Sequence, residues 1–321
     1  MEPMLLKPVG KETLWGGDML RKEFHKDFDI GNLGETWECS VHSHGSSVVA
    51  NGEFRSQSLK HVLAAHPEFM GTKVPDGEEL PILVKFIDAK QDLSLQVHPD
   101  DDYAYKNEQQ KGKSEMWYVV DNMPGSKLVH GFTHKMSKKL LLEALEQGKV
   151  LEQLQQVEVN KGDVFYTPAG TIHGIGAGCL IAEIQENSDV TYRVYDYDRV
   201  DKNGNKRELH LEKALEVLDY AAGVSLKQKP RLVHYYPGSS REILCRCKYF
   251  DTEKIKVTKG MAFSVLDTSF QVLLCLDGEA GIETSEYSKP LRFKKGDCVF
   301  LPAGLGRCFV IGECEFLKVR V

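Results

Sequence analysis

The chain has 321 residues, of which 41% are hydrophobic and 27% are charged, and its formal net charge is −6. This length and composition are typical of a soluble globular protein with two domains of ordinary size. The acidic balance gives no basic footprint for nucleic acid, and the sequence shows no apolar run of about 18 residues and no signal peptide. We therefore expect a cytoplasmic protein that binds neither nucleic acid nor a membrane. Its eight scattered cysteines are expected to be reduced and mostly buried.

The N-terminal part of the chain predicts a turn, a strand, a helix and a second strand, in that order. The turn contains Trp15, and by composition alone such a residue packs, or lies in a surface turn, more often than it contacts a ligand. Ser58 is the expected N-cap of the helix, and Gly71 is expected to end it. The predicted bounds are 14–17 for the turn, 34–41 for the alternating strand, 56–70 for the helix and 81–87 for the apolar strand.

The following strand carries polar side chains on one face. Residues 93–98 alternate between apolar and polar, and positions two apart in a strand point to the same side, so Gln96 and His98 face the same direction. Pro99 is expected to end this strand. Because buried polar groups need partners, we interpret the two side chains as ligands of a metal ion.

The next predicted strand supplies a carboxylate as a further candidate metal ligand. A polar loop is expected at 100–112, and a strand is expected at 113–120. Lys113 and Glu115 stand two positions apart on one face of that strand.

A helical region and a sharp corner come next. The helical region at 137–154 is interrupted at Gly148, and its leucine stripe is typical of packing. Residues 161–173 predict a turn, a short strand and a Pro-Ala-Gly corner that ends at His173. The glycine run at 174–178 is interpreted as a turn between strands, since no βαβ pattern surrounds it and no helix follows.

The remaining elements are mostly strands, and two of them hold a charged residue among apolar ones. Glu183 lies in a predicted strand at 180–185, and Arg193 lies in one at 190–195. Four more features are predicted: a hairpin turn at 203–204, a helix at 209–220, a linker at about 224–240, and a strand-rich sandwich or barrel in the last hundred residues.

The chain contains an internal repeat. Residues 295–307 repeat 161–173 position for position, and the strand before each segment also has a similar pattern. We interpret the chain as a duplication whose second copy lacks the metal-type residues. The two differences are Arg307 in place of His173 and Gln271 in place of Glu115.

Four side chains form the candidate metal site: Gln96, His98, Glu115 and His173. Two imidazoles, a carboxylate and an amide oxygen suit Zn²⁺, with Mn²⁺ or Fe²⁺ as alternatives, and a water or substrate oxygen would take the open position. Each residue alone has an ordinary explanation: a lone buried histidine is usually hydrogen-bonded, and Glu115 could pair with Lys113.

The residues expected to perform chemistry near the metal are Lys113, Glu183, Arg193 and Arg199. A carboxylate such as Glu183 can carry a proton in a partly desolvated site. Arg193 keeps its proton and therefore suits an anionic intermediate or a phosphate group. The alternative for Glu183 and Arg193 is a structural ion pair inside a barrel.

Several motifs resemble those of known families. The corner Gly162-x5-Pro168-x-Gly170-x2-His173 resembles the second conserved motif of cupins, and Gln96-Val97-His98 stands where many cupins have His-x-His. Other segments are similar to those of type I mannose-6-phosphate isomerases in their shorter bacterial form. They are Trp15-Gly-Gly, Gly34-Glu-x-Trp37-Glu, Gln-Val-His-Pro-Asp from Gln96, Lys113-x-Glu115-Met-Trp and Asn187-Ser-Asp189-Val-Thr-Tyr-Arg193. Ser114 departs from this pattern, because the family often has proline there.

The resemblance implies a mostly β protein with two cupin domains, which are jelly-roll β-barrels, and short helical segments. Residues 1–228 would form the catalytic, metal-binding cupin, and 229–321 a degenerate cupin without metal ligands. It also implies one zinc ion per chain and interconversion of mannose 6-phosphate and fructose 6-phosphate through an enediolate. The implied zinc ligands are Gln96, His98, Glu115 and His173.

The same resemblance implies roles for the other site residues. Arg193 corresponds to the signature arginine and would stabilise the enediolate, Glu183 would carry the proton, and Lys113 would assist ring opening. Trp15 and Arg199 are expected to bind the substrate. Two other functions remain open: an iron-dependent cupin oxygenase, and a non-catalytic protein that binds sugar phosphates. The expected oligomeric state is a monomer or a weak homo-oligomer.

Overall fold

The computed structural model describes residues 1–223, 233–285 and 287–321. Its strands form three antiparallel sheets with short helices between them. The helices are α1 (Met19–Phe24), α2 (Leu59–Ala65), α3 (Asp101–Glu108), α4 (Lys138–Glu146) and α5 (Leu211–Val217), with 3-10 turns at Pro67–Met70 and Val150–Gln153. None of the helices in these ranges is long and apolar enough to span a membrane.

The strands of the N-terminal part are β1 (Met4–Lys7), β2 (Val9–Gly17), β3 (Leu33–Cys39), β4 (Val48–Val49), β5 (Ile82–Ala89), β6 (Leu95–Val97), β7 (Glu115–Asn122), β8 (Lys127–Phe132), β9 (Leu154–Glu158), β10 (Val164–Thr167), β11 (His173–Ile175), β12 (Cys179–Glu186) and β13 (Tyr192–Tyr195). Those of the C-terminal part are β14 (Val233–Tyr236), β15 (Ser239–Arg246), β16 (Asp251–Val257), β17 (Gly260–Val265), β18 (Gln271–Thr284), β19 (Tyr287–Lys294), β20 (Cys298–Leu301) and β21 (Gly306–Arg320).

Two of the sheets pack against each other to form the N-terminal barrel. The order β10-β7-β12-β5-β2-β3 makes a six-stranded sheet, and β13-β6-β11-β8-β9 makes a five-stranded one. One buried apolar cluster contains Trp117 and Ile181 from the first sheet together with Leu128 and Ile175 from the second. The facing sides of both sheets therefore bury a common core, as in other double-sheet folds.

The third sheet joins both ends of the chain. It runs β14-β15-β16-β21-β18-β20-β1-β4, with β17 on β21 and β19 on β18, and β1 pairs with β20 so that Met4 lies opposite Phe300. The chain's first strand thus extends the sheet formed by the last ninety or so residues. The division of the chain near residue 228 stays a prediction.

Three local predictions are wrong. Residues 101–108 form helix α3 rather than a loop, because the Asp100 side chain accepts a hydrogen bond from Tyr103 N (2.9 Å) and caps the helix. The expected turn at 14–17 is the end of β2, where Gly16 lies so close to β3 that an added Cβ would be 2.5 Å from Gly34 N. Residues 233–236 and 239–246 are strands, and the rest of the predicted linker, 224–232, lies outside the described residues.

The repeat seen in the sequence is also a repeat of strand pairing. In the first copy β7 pairs with β10 so that Glu115 lies opposite Thr167. In the second, β18 pairs with β20 so that Gln271 lies opposite Leu301. Gln271 therefore occupies the register position of Glu115, as the sequence comparison predicts.

Candidate active site

The side chains of His98, Glu115 and His173 meet inside the N-terminal barrel. His98 Nε2 lies 3.5 Å from Glu115 Oε2, and His173 Nε2 lies 3.2 Å from Glu115 Oε1. All three side chains are only 1% exposed. One potential ligand atom from each residue lies within 4.8 Å of the others, which is compatible with a single bound ion.

The hydrogen bonds of the two imidazoles leave the inner nitrogens free to coordinate. His98 Nδ1 donates to Val190 O (2.8 Å) and His173 Nδ1 donates to Thr171 O (2.8 Å), so each Nε2 presents its lone pair to the centre. Among the described residues, His98 Nε2 and both oxygens of Glu115 have no hydrogen-bond partner. Buried polar atoms of this kind require a partner, and a metal ion would satisfy them.

Protonation states in this centre suit metal binding. Burial, with the positive charge of Lys113, lowers the pKa of His98 to about 3, and burial lowers the pKa of His173. Burial acts to raise the pKa of Glu115, but Lys113 and the two imidazoles outweigh it and hold that pKa well below its ordinary value. Two neutral imidazoles and one carboxylate are the forms that bind divalent metals.

Gln96 lies beside this centre on β6. Its Cα pairs with that of His173, and its Nε2 lies 3.3 Å from His173 Nε2. The two ends of an amide are assigned from their hydrogen bonds, and rotation by a half-turn directs the oxygen to the same place. The amide oxygen can therefore point toward the candidate ligands, and the role of Gln96 as a fourth ligand stays a prediction.

Backbone and hydroxyl hydrogen bonds connect the three segments that carry the candidate ligands His98, Glu115 and His173. Gly170 N donates to His98 O (2.8 Å), and Lys113 N donates to Pro99 O (3.0 Å). Ala169 N donates to the Ser114 hydroxyl (3.3 Å). The serine that departs from the family pattern therefore ties the strand of Glu115 to the corner that leads to His173.

A cavity of about 320 Å³ opens beside the ligands and collects most of the predicted site residues. The predicted residues in its lining are Trp15, Gln96, Lys113, Glu183 and Arg193. Four further charged residues in the lining were not predicted: Glu35, Lys85, Asp189 and Arg207. A wider, more open cleft of about 690 Å³ lies elsewhere, and in it Lys60 and Lys111 pair with Glu79 and Glu78 at the surface.

Glu183 belongs to a buried ionic triad with Lys85 and Glu35. Lys85 Nζ lies 3.2 Å from Glu183 Oε1 and 3.4 Å from Glu35 Oε2, and Lys113 Nζ lies 4.0 Å from the same Glu183 oxygen. Burial and the charge of Glu115 raise the pKa of Glu183 to about 7, although both lysines oppose this shift. The signal for Lys85 was present in the sequence, because it is a lone charge in the apolar run 81–87.

Two of the three nearby arginines face the cavity. Arg193 Nη1 donates to Glu208 O (2.7 Å), and its Nε has no partner in the described part of the chain. Arg207 donates hydrogen bonds from Nε (2.8 Å) and Nη2 to the Asp196 carboxylate, and it also lines the cavity. Arg199 does not line it: Asp196 and the Asp92 carbonyl hold its guanidinium.

Trp15 is 4% exposed and packs in the apolar cluster of the barrel while it also lines the cavity. Its backbone oxygen accepts from Lys90 N (2.9 Å), which fixes the end of β2. The side chain therefore forms part of the cavity wall rather than a surface turn.

Glu186, whose carboxyl group contacts the backbone next to Glu115, gives a prediction for the pH dependence of stability. Glu186 Oε1 accepts from Ser114 N (2.8 Å), and burial raises its pKa from 4.5 to about 8, with Asp101 adding to the shift. The folded state thus keeps a proton that the unfolded state loses, so the free energy of unfolding falls as the pH rises between these values. In Glu186→Gln this decline is expected to be absent.

Thermal unfolding of wild type and Glu186→Gln at about pH 6 and about pH 9 checks this prediction. The melting temperature of the variant relative to wild type should increase at the higher pH. The exposed Glu68, changed to glutamine, is the control and should give no such change. A difference for Glu186→Gln that stays the same at both pH values contradicts the prediction.

Comparisons with known proteins identify the family that this chain resembles. Residues 4–130 match the family description "Phosphomannose isomerase type I, catalytic domain", and residues 241–321 match "Mannose-6-phosphate isomerase, cupin domain". The mannose-6-phosphate isomerase ManA of Bacillus subtilis is 38% identical over 98% of this chain and 97% of its own. The Streptococcus mutans enzyme of the same name is 36% identical over the same shares.

The fold is shared with solved structures. The crystal structure of the mannose 6-phosphate isomerase from Bacillus subtilis has a TM-score of 0.91 and 33% identity, and covers 100% of both chains. Together with the cupin-domain match, this confirms the predicted mostly β fold of the cupin type. The chain therefore belongs to the type I phosphomannose isomerase family.

Proposed function

We propose that this protein interconverts mannose 6-phosphate and fructose 6-phosphate as an aldose–ketose isomerase. The observation that carries the proposal is the buried set of His98, Glu115 and His173 next to a cavity lined by charged side chains. Such a reaction needs a base, charge stabilisation at two adjacent oxygens and shelter from water. The names of the Bacillus subtilis and Streptococcus mutans relatives support mannose 6-phosphate as the substrate.

One Zn²⁺ per chain is the proposed cofactor. Two imidazole nitrogens and one carboxylate, with the amide of Gln96 beside them, form a ligand set that zinc commonly uses in catalytic sites. When bound, the ion would supply a Lewis acid that polarises oxygens of the sugar.

Glu183 is the proposed proton carrier. It takes the proton from C2 of the open-chain aldose and returns it to C1, while a second proton moves from the oxygen on C2 to the oxygen on C1. Lys85 and Lys113 both lie within 4.0 Å of its Oε1 and stabilise the carboxylate. Lys113 also lies within reach of the centre, 3.4 Å from Glu115 Oε2, and is proposed to position a sugar oxygen during ring opening. Trp15 is proposed to pack against the substrate from the cavity wall.

Arg193 is proposed to stabilise the negative charge of the enediolate. Its guanidinium lines the cavity, and its Nε has no partner among the described residues. Removing one preorganised donor to a developing oxyanion typically lowers kcat by about 10² to 10³. We expect Arg193→Ala to lower kcat by about this factor in a steady-state assay, and full kcat in this variant would contradict the role.

The basic residue that holds the phosphate follows from the positions of the arginines. Arg207 lines the cavity and Arg199, the candidate from the sequence, is turned away. We therefore expect Arg207→Ala to raise KM for mannose 6-phosphate by about tenfold or more, corresponding to a lost charged hydrogen bond, with a smaller change for Arg199→Ala. If Arg199→Ala raised KM more than Arg207→Ala did, Arg199 would be the residue that holds the phosphate.

A coupled isomerase assay with and without a chelator tests the proposed function. The protein should convert mannose 6-phosphate to fructose 6-phosphate, lose this activity to the chelator and regain it with Zn²⁺. Lasting inactivity after metal reconstitution would contradict the assignment as an isomerase. Tight binding of mannose 6-phosphate without turnover would favour a sugar-phosphate-binding protein. Iron in elemental analysis together with oxygen uptake would favour an oxygenase. A cytoplasmic location and a monomeric or weakly associating state stay predictions from the sequence.

A further inference from the structure

The third sheet, which we call the C-terminal barrel because residues 241–321 match a cupin domain, contains a counterpart for Glu183. In the N-terminal barrel, Glu183 of β12 lies opposite Trp117, two residues after Glu115. In the C-terminal barrel, Lys318 of β21 lies opposite Leu273, two residues after Gln271. Because Gln271 holds the register position of Glu115, Lys318 holds that of Glu183.

The same comparison extends across the next two strands. Glu183 pairs with Lys85 of β5, and Lys318 pairs with Glu253 of β16. Beyond them, Glu35 of β3 lies opposite the residue two after Lys85, and Arg241 of β15 lies opposite the residue two after Glu253. The triad Glu35–Lys85–Glu183 thus corresponds to the triad Arg241–Glu253–Lys318.

The second triad has the same contacts with the charges reversed. Lys318 Nζ lies 3.0 Å from Glu253 Oε2, and Arg241 Nη2 donates to Glu253 Oε1. In the N-terminal barrel a lysine stands between two carboxylates, whereas here a carboxylate stands between two cations. The sign of the net charge at this position therefore changes from negative to positive, which favours an anion.

Polar atoms near the second triad lack partners. Among the residues that the structure describes, Arg241 Nε has no hydrogen-bond acceptor and Gln271 Oε1 has no donor, and Gln271 is 5% exposed. The Arg241 side chain is 33% exposed, whereas the Lys318 side chain is 8% exposed. A ligand that satisfied both atoms would combine an anionic group for the cations with a hydroxyl that donates to the amide oxygen.

We propose that this end of the C-terminal barrel, formed by Arg241, Glu253, Lys318 and Gln271, is a second binding site for a phosphorylated polyol. The phosphate is held by Arg241 and Lys318, and a hydroxyl donates to Gln271. No metal takes part, because the position of Glu115 is occupied by an amide. The site is separate from the cavity of the N-terminal barrel and does not depend on turnover there.

Counting bound ligand tests the proposal. Equilibrium dialysis of the metal-loaded protein uses radiolabelled mannitol 1-phosphate, which has no carbonyl group and cannot be isomerised. Wild type should bind two equivalents per chain, Arg241→Ala about one, Arg207→Ala about one and the double variant close to none. Arg246→Ala, on the same strand with a 51% exposed side chain paired with Asp251, is the matched control and should bind two. An Arg241→Ala count equal to that of wild type overturns the proposal, whether wild type binds one equivalent or two.

A second variant separates the polyol from phosphate alone. Gln271→Leu keeps the two cations but removes the acceptor of the hydroxyl. Binding of mannitol 1-phosphate at the second site should weaken by about tenfold, the effect of one buried hydrogen bond, while binding of inorganic phosphate stays unchanged. An equal loss for both probes means a site for phosphate only and overturns the polyol assignment. Because dialysis needs no turnover, a failed isomerase assay contradicts the proposed function without affecting the difference between wild type and Arg241→Ala.

Discussion

Replacing Glu115 by glutamine is expected to release the metal and to lower kcat/KM by about 10³ or more, which corresponds to about 4 kcal/mol of transition-state stabilisation. Glu115 is the one anionic member of the candidate ligand set, and among the described residues neither of its oxygens has a hydrogen-bond partner, although Lys113 Nζ lies 3.4 Å from Oε2. Glutamine keeps the size of the side chain but removes the charge that neutralises a divalent ion. Metal analysis after dialysis and steady-state kinetics measure the two effects.

A buried carboxylate outside the site provides the control. Glu38 is fully buried and pairs with Lys26 at 2.7 Å, and it does not line the cavity. Glu38→Gln should lower the melting temperature, since it weakens a buried ion pair, but it should keep one metal ion per chain and wild-type kcat. If Glu115→Gln keeps its metal and its activity, the centre is a structural ion cluster and the proposed ligand set is wrong.

The local pattern of the sequence was sufficient to predict the ligand strands. Gln96 and His98 alternate with apolar residues at 93–98, and Glu115 comes at the start of an apolar run. The Pro-Ala-Gly corner before His173 has turn chemistry that is readable without tertiary contacts. Helix α3 was not predictable in this way. Its segment has no apolar stripe, and it is defined by the Asp100 cap and an acidic first turn.

Features that depend on distant residues were missed for a different reason. The pairing of Met4 with Phe300 brings together the two ends of the chain, which no local pattern encodes. Arg199 and Arg207 have equivalent chemistry in the sequence and both bind Asp196, but Arg207 lines the cavity, whereas Arg199 also donates to the Asp92 carbonyl and does not line it. Tertiary contacts thus place at the cavity an arginine that the sequence analysis did not single out.

Only part of the internal duplication can be recognised from the sequence. The repeated corners at 161–173 and 295–307 are visible because their residue types match. The triads of Lys85 and Glu253 are not, because their charges are opposite and only strand register relates them. The triad around Lys85 has a net negative charge and contains the proposed carboxylate base, whereas the triad around Glu253 has a net positive charge, which favours an anion. The same strand arrangement therefore supports two different electrostatic environments.

Glu183→Gln is expected to lower kcat by about 10² to 10⁴ with little change in KM, because it removes the group that carries the proton and leaves the phosphate contacts intact. Glu35 remains to pair with Lys85, so the barrel should stay folded. Glu35→Gln is the matched control, since it removes the other carboxylate of the triad without removing the base, and it should retain more activity. Circular dichroism and metal content establish that both variants are intact.

The pH profile distinguishes a proton carrier from a merely structural partner of Lys85. Burial and the charge of Glu115 raise the pKa of Glu183 to about 7, and a bound cation would lower it from there. A base acts as the carboxylate, so kcat/KM of wild type should fall as the pH drops through a midpoint at or below about 7. Glu183→Asp should keep this acid limb at reduced activity, and Glu183→Gln should lose it. An unchanged acid limb in the glutamine variant would assign the titrating group, and with it the proton transfer, to a different residue.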